Sequence, residues 1–349
     1  MNLQIKTRSL INFFTAVPVI ILMWVLFAFN TDNVDMANYE QRFQYGTSEF
    51  AESGFNAFMN ACKFLGVDSY QGFLSILSFI LLAVILCCTL KFTDHAVPIL
   101  ALFCFYPFLL FCIEVRFSIS FCIILVAVLV LVRDGKNSLP IFLGLVLLAT
   151  LFHSSSMVYF LLAFYKADIS HKKKFYIIMA LTAAAIALTY TPLAYRLAIL
   201  VSGGSSKITA WFTRHGRFGM AVPIAEQTVS YLIFKYAYRM KKKYGIQTAI
   251  NADILYELNI LMFILIPCYF INNTFFRLYR VFLFVNTIFY SEIIYHRKGE
   301  NGWKVTKLGL MNALQILCLS FLEIFSRPDV WRPFIENNLL LDKISMLFF

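Results

Sequence analysis

The run FLLFCIEVRFSISFCII, residues 108–124, decides how this chain is read. Glu114 and Arg116 are the only charges in the 37 residues from Ala96 to Val132. An ionisable side chain flanked so heavily by apolar sequence is costly unless it reaches water, a partner or a ligand. At about 20 apolar residues per crossing, the stretch is long enough to span a bilayer twice. The two charges therefore mark the mouth of a hairpin and are the first candidates for a site.

Outward from that run the chain keeps the same character. It is 60% hydrophobic and only 14% charged, with a mean hydropathy of +0.74. That composition excludes a soluble domain. The apolar runs are continuous rather than alternating, which excludes a transmembrane β-barrel. The fold class is all-α: a polytopic integral membrane protein forming a single membrane domain over residues 1–349, with about eleven transmembrane helices. The expected crossings are 10–29, 72–90, 96–113, 117–132, 139–152, 154–165, 174–191, 225–240, 254–272, 275–295 and 305–324. Lys6 and Arg8 before Leu10–Phe29 read as a signal anchor, retained because no small-residue cleavage site follows.

Basic clusters set the orientation. Lys6/Arg8, Lys91, Arg133/Lys136, Lys166 with Lys172–Lys174, Arg239 with Lys241–Lys243, and Arg297/Lys298 fall on one face, which the positive-inside rule makes cytoplasmic. The N-terminus is then inside and the C-terminus outside, with outer pieces at 30–71, 192–224 and 325–349. The first of these holds a weak amphipathic stretch, Glu49 to Leu65. Leu139 to Tyr165 is uncharged and reads as a short broken helix pair meeting at His153, since a single tilted helix would place Lys172–Lys174 outside. Broken helices at membrane depth are tolerated where they line protein or a watery cavity.

Under this topology the net charge of +11 is wholly cytoplasmic, so it signals topology rather than nucleic acid. Arginines dominate the outer side: Arg42, Arg116, Arg196, Arg214, Arg217, Arg277, Arg280, Arg327 and Arg332. A guanidinium offers a planar fork suited to phosphate, where lysine offers a point charge. The outer set therefore reads as binding an anion, with salt bridging to the outer acids as the bland alternative.

Several constellations stand out. His153 sits in ATLFHSSSMVYF, an imidazole able to take or give a proton beside three serines; no nucleophile-elbow motif surrounds them. Arg277 and Arg280 in NNTFFRLYRVFLF are spaced i, i+3 and share a helix face, where two guanidiniums repel unless an anion lies between them. WFTRHGR places Arg214 and Arg217 in an outer aromatic loop. The first outer loop gathers Asp35, Tyr39, Glu40, Glu49 and Glu52, carboxylates and an aromatic that suit sugar hydroxyls and ring faces. Seven of the eight cysteines lie in apolar runs, where cysteine acts as a small hydrophobe. No metal ligand set, Walker A, zinc H-E-x-x-H or D-x-D motif is present, so chemistry would use an activated substrate already in the membrane.

In order and spacing these motifs resemble the EpsG/Wzy-type family of bacterial polysaccharide polymerases. The matching residues are Asp35 and Tyr39; Glu52, Gly54 and Phe55; Arg116 with Ile119 and Ser120; Ala149, His153 and Ser155; and Arg277 with Leu278, over roughly residues 30–290. Phe117 stands where members often carry Gln. Either Arg277 or Arg280 fits the late family arginine. The resemblance implies a membrane glycosyltransferase of the bacterial cytoplasmic (inner) membrane. Such an enzyme joins undecaprenyl-diphosphate-linked oligosaccharide repeat units at the outer face for O-antigen, capsule or exopolysaccharide. It needs no cofactor or metal, and its partners are the lipid-linked oligosaccharide, membrane lipids and, as a further candidate, a chain-length regulator. Arg116 and Arg277 or Arg280 would hold the departing diphosphate. His153, or a carboxylate such as Asp35 or Glu52, would serve as base, and Glu114 would be the local counter-charge of Arg116. A flippase for lipid-linked sugar and a membrane sugar O-acyltransferase are the rival classes.

Overall fold

The computed structural model describes residues 2–46, 53–202, 219–296 and 302–348. Among them the only strand-type pairing is one isolated bridge, Asn30 with Asn338, and the rest is helices and their connections. In chain order these are α1 Asn2–Ala28, α2 Met36–Tyr45, α3 Ser53–Phe64, α4 Tyr70–Phe92, α5 Ala96–Phe105, α6 Phe108–Ile113, α7 Val115–Val132 and α8 Ser138–Phe152. A 3-10 segment, Ser154–Lys166, precedes α9 His171–Thr189, α10 Pro192–Ser202, α11 Ala221–Tyr244 and α12 Ala252–Leu261. A 3-10 turn, Met262–Leu265, leads to α13 Ile266–Ile271, and another, Asn273–Tyr279, leads to α14 Arg280–His296. After α15 Gly302–Ser320 comes a π-helical turn, Phe321–Phe325, then α16 Pro328–Glu336 and α17 Leu339–Phe348.

Among the described residues, five helical stretches are long and apolar enough to cross a membrane: Leu10–Ala28, Tyr70–Phe92, Val115–Val132, Ala252–Ile271 and Thr306–Phe325. Ala96–Phe105 and Ser138–Phe152 are shorter apolar helices. The expected crossings differ from these because several are interrupted. Segment 96–113 divides at Pro107, which has no amide to donate and drives the preceding Tyr106 into extended backbone (φ −158°, ψ 130°). Segment 254–272 contains a 3-10 turn at Met262–Leu265. Segment 275–295 opens as a 3-10 turn because Asn272 accepts from Thr274 N–H at 2.9 Å, an Asx cap that tightens the backbone.

The centre is α7. Within its span 78% of the residues are buried, against 22% for the α1 span, so α7 is the core helix and α1 a peripheral one. Helix association within lipid draws on polar ties rather than a hydrophobic drive, and the fold uses several. Asn259 and Asn286 exchange amide hydrogen bonds of 3.0 and 2.9 Å between α12 and α14. Asn12 bonds to the carbonyl of Thr93 and accepts from Ala96 N–H, fixing α1 to the α4–α5 turn. At the other end of α1, Thr31 N–H donates to Asn337 O at 2.9 Å and Leu339 N–H to Phe29 O at 3.0 Å. The C-terminal segment is thereby stapled beside the first loop.

Candidate functional site

The described parts of the 30–71 segment, residues 30–46 and 53–71, pack beside the start of α7 and the end of α8. Phe55 is fully buried, 5.8 Å from the Tyr39 ring and 6.0 Å from that of Phe73. Gly54 lets α3 touch the last turn of α8: a Cβ there would lie 3.0 Å from both Leu151 Cβ and its carbonyl oxygen. Glycine is needed for this close approach. The sequence pattern Gly54-Phe55 is thus what positions the loop next to His153.

Tyr39, buried on α2, meets Arg116 at the first turn of α7. Arg116 Nε–H donates to the Tyr39 hydroxyl at 3.4 Å, and its guanidinium lies 5.6 Å from the ring centroid. Burial pushes the Tyr39 phenol above its ordinary range, against the pull of Arg116, so it stays a neutral hydroxyl. Asp35 is half-buried one helical turn earlier, at the N-terminus of α2.

The next residue, Phe117, is the hinge of the site. Its buried ring takes the His153 ring edge-on at 5.6 Å. The Arg277 guanidinium lies over the same ring, 5.4 Å from its centroid, a cation–π contact. His153 has extended backbone (φ −150°, ψ 110°) between α8 and the 154–166 segment, and its Nδ1 is 2.7 Å from Ser155 Oγ. Ser156 bonds across to Ser120 on α7, and the Tyr159 hydroxyl donates to the carbonyl of Leu278, next to Arg277. Four segments distant in sequence therefore bring Tyr39, the Arg116–Phe117 pair, His153 and Arg277 into one cluster. Arg277 Nε is buried with no hydrogen-bond partner. A buried charged donor without an acceptor calls for a specific explanation.

Arg280 behaves otherwise. It is buried, with Nη1 2.8 Å from Glu114 Oε2, Nη2 3.0 Å from Glu323 Oε2 and Nε donating to the Tyr106 hydroxyl at 3.1 Å. Tyr106 in turn donates to Glu323 Oε2 at 2.9 Å. Glu114 is thus the partner of Arg280 and not, as expected, the local counter-charge of Arg116. The reason is geometric: Glu114 caps the break between α6 and α7 and faces the start of α14. The two late arginines share Glu114 as an electrostatic neighbour, but only Arg280 is ion-paired with it. Arg277 leans onto Phe117, while Arg280 is turned into the acids.

Sequence reasoning missed Phe117, Tyr106, Glu323 and, on α11, Glu226, whose carboxylate oxygens are buried without a hydrogen-bond partner. Two of these carried a signal. Glu323 is the sole charge in Leu308–Phe325, and Glu226 the sole charge in Phe218–Phe234. Glu52, Arg214 and Arg217 lie outside the described residues. Among the described residues no group of three or more His, Cys, Asp or Glu is gathered for a metal ion.

An all-helical body with apolar spans and a buried arginine–histidine–tyrosine cluster defines a multi-pass membrane protein with a polar site. Residues 13–334 match the model of the EpsG family. The chain belongs to that family, and with it to membrane proteins of polysaccharide-polymerase type. No curated protein and no solved structure gives a match.

Proposed function

We propose that this protein is a repeat-unit polymerase. It transfers a growing glycan from its undecaprenyl diphosphate to the terminal hydroxyl of a new lipid-linked unit at the outer face of the cytoplasmic membrane. The observation that carries this reading is Arg277: a guanidinium at the rim of a membrane-embedded cluster, its Nε buried without a partner, beside His153 across Phe117. A departing diphosphate needs fixed positive charge in a site that excludes water, where such charge acts most strongly. Arg277 and Arg116 supply it, and His153 orients the substrate. Asp35 and Tyr39 face the sugar, together with Glu52, Arg214 and Arg217 of the outer loops. Glu114 and Arg280 support the site from within.

The same reading takes the chain as crossing the membrane eleven times, with the N-terminus inside, the C-terminus outside and the 139–165 segment as two short crossings. The product class is O-antigen, capsule or exopolysaccharide. The transfer is metal-independent, and the partners are the lipid-linked oligosaccharide, bilayer lipids and a chain-length regulator. Nucleic acid has no part in it.

The test is a deletion strain complemented with Arg116→Ala or Arg277→Ala and read as ladder length on a gel. Both variants, at normal protein levels, should lose long polymer; full-length polymer from both would overturn the assignment. In the deletion strain, single repeat units should accumulate on the outer face. Accumulation on the inner face identifies a flippase, and normal polymer lacking only acyl groups identifies an acyltransferase.

A further inference from the structure

Two polar groups flanking Arg280 are buried without partners, and they are of opposite kind. Arg277 Nε is an unmet donor, and Glu226 keeps both carboxylate oxygens buried with no hydrogen bond to either. Glu226 has Glu323 and Arg280 as charged neighbours, and Arg280 is an electrostatic neighbour of Arg277 as well. Helix α11, which carries Glu226, packs on the 273–279 turn that carries Arg277. Unmet buried polar atoms are rare in native proteins and call for a specific explanation.

The helix turn that carries Glu226 is anchored. Its neighbour Gln227 donates to Met262 O at 2.9 Å and accepts from the Tyr269 hydroxyl at 2.6 Å. Gln315 Nε2 approaches the Glu226 main-chain carbonyl at 3.5 Å. The donors of the neighbouring network are already committed: Arg280 to Glu114 and Glu323, and Tyr106 to Glu323. A carboxyl group on an anchored turn, with no protein donor to its oxygens, is complementary to an O–H brought by a ligand. His153 shares the Phe117 ring with Arg277, which puts it on the leaving-group side.

We propose that Glu226 is the general base of the transfer, an inference that rests on the polymerase reading above. The acceptor hydroxyl gives its proton to the Glu226 carboxylate as its oxygen bonds to the anomeric carbon. The bond from that carbon to the diphosphate oxygen breaks, and the electron pair leaves on the diphosphate, held by Arg277. Glu226 then returns its proton to water. Arg280, tied to Glu114, Glu323 and Tyr106, is the fixed charge within electrostatic reach of both the base and the leaving-group ligand.

The experiment compares Glu226→Gln and Glu226→Asp in the full-length protein, using as substrate the lipid-linked repeat units extracted from the deletion strain. Glu226→Gln keeps size and polarity but cannot take a proton. It should lower kcat by ~100-fold or more, the usual contribution of a positioned base, with KM and melting temperature little changed. Glu226→Asp retains a carboxylate and should exceed the Gln variant at equal protein level, which keeps the test decisive even where Gln folds poorly. Glu226→Gln turning over at the wild-type rate while Arg277→Ala is inactive would remove Glu226 as base and leave the polymerase reading intact. Wild-type protein that fails to lengthen the units would remove both.

Discussion

Arg277 and Arg280 lie three residues apart on one turn, yet they sit in opposite kinds of environment. Arg280 is closed: two carboxylates and a phenol take up its donors. Arg277 is open: a phenylalanine ring lies beneath it and its Nε has no acceptor. A buried guanidinium whose donors are taken up by carboxylates is a structural tie, whereas one with an unmet donor is costly to keep in the fold. The difference teaches that an arginine tied into the fold and an arginine left open can be neighbours in sequence, separated only by which way the chain turns them.

Five substitutions at four positions probe that comparison. Arg280→Ala should have the largest effect, because it leaves two half-buried carboxylates, Glu114 and Glu323, without their guanidinium, at a cost approaching the roughly 3 kcal/mol of a broken buried pair. Loss of folded protein in membranes, or a sharply lowered melting temperature in detergent, would show it; normal accumulation would break the distinction. Arg277→Ala should leave the protein level unchanged and reduce transfer by ~100- to 1,000-fold, the range for a lost charge-stabilising donor. Arg277→Lys should be impaired as well, since a point charge does not replace the fork; polymer of wild-type length from the Lys variant would favour simple charge over geometry. Gly54→Ala should cost about 1–3 kcal/mol by overpacking α3 against Leu151, read as a lower melting temperature together with shorter polymer. Tyr39→Phe removes one long hydrogen bond to Arg116 and should cost only about 0.5–1.5 kcal/mol, with near-normal protein level and a modest rise in KM. A loss of activity as large as that of Arg277→Ala would move Tyr39 into the group that contacts the reacting atoms.

Much of the site was legible because the membrane makes charges conspicuous. Arg116, His153 and Arg277 stand out where neighbouring residues are apolar, and the structure gathers all three around Phe117. Gly54 and Phe55 were legible as a pattern, though not as the contact that seats the first loop on α8. The pairing of charges was not legible. Glu114 is two residues from Arg116 but bonds to Arg280, 166 residues away, and Glu323 reaches the same guanidinium from the last apolar run. Spacing along one helix reports neighbours on that helix and nothing about which other helix supplies a counter-charge. Phe117 read as a departure from the family pattern, and its role beneath Arg277 emerged only once α7 and the 273–279 turn were side by side.

By itself, the sequence determined that this chain is helical and membrane-bound and belongs among polysaccharide-polymerase-type proteins, because hydropathy and charge act locally and their pattern is written in linear order. Tertiary structure alone decided which arginine is satisfied and which is left open, and that Glu226 lies buried without a donor. Those properties depend on distances between helices far apart in the chain, and hydrogen-bond satisfaction is set by such distances, not by order along the sequence.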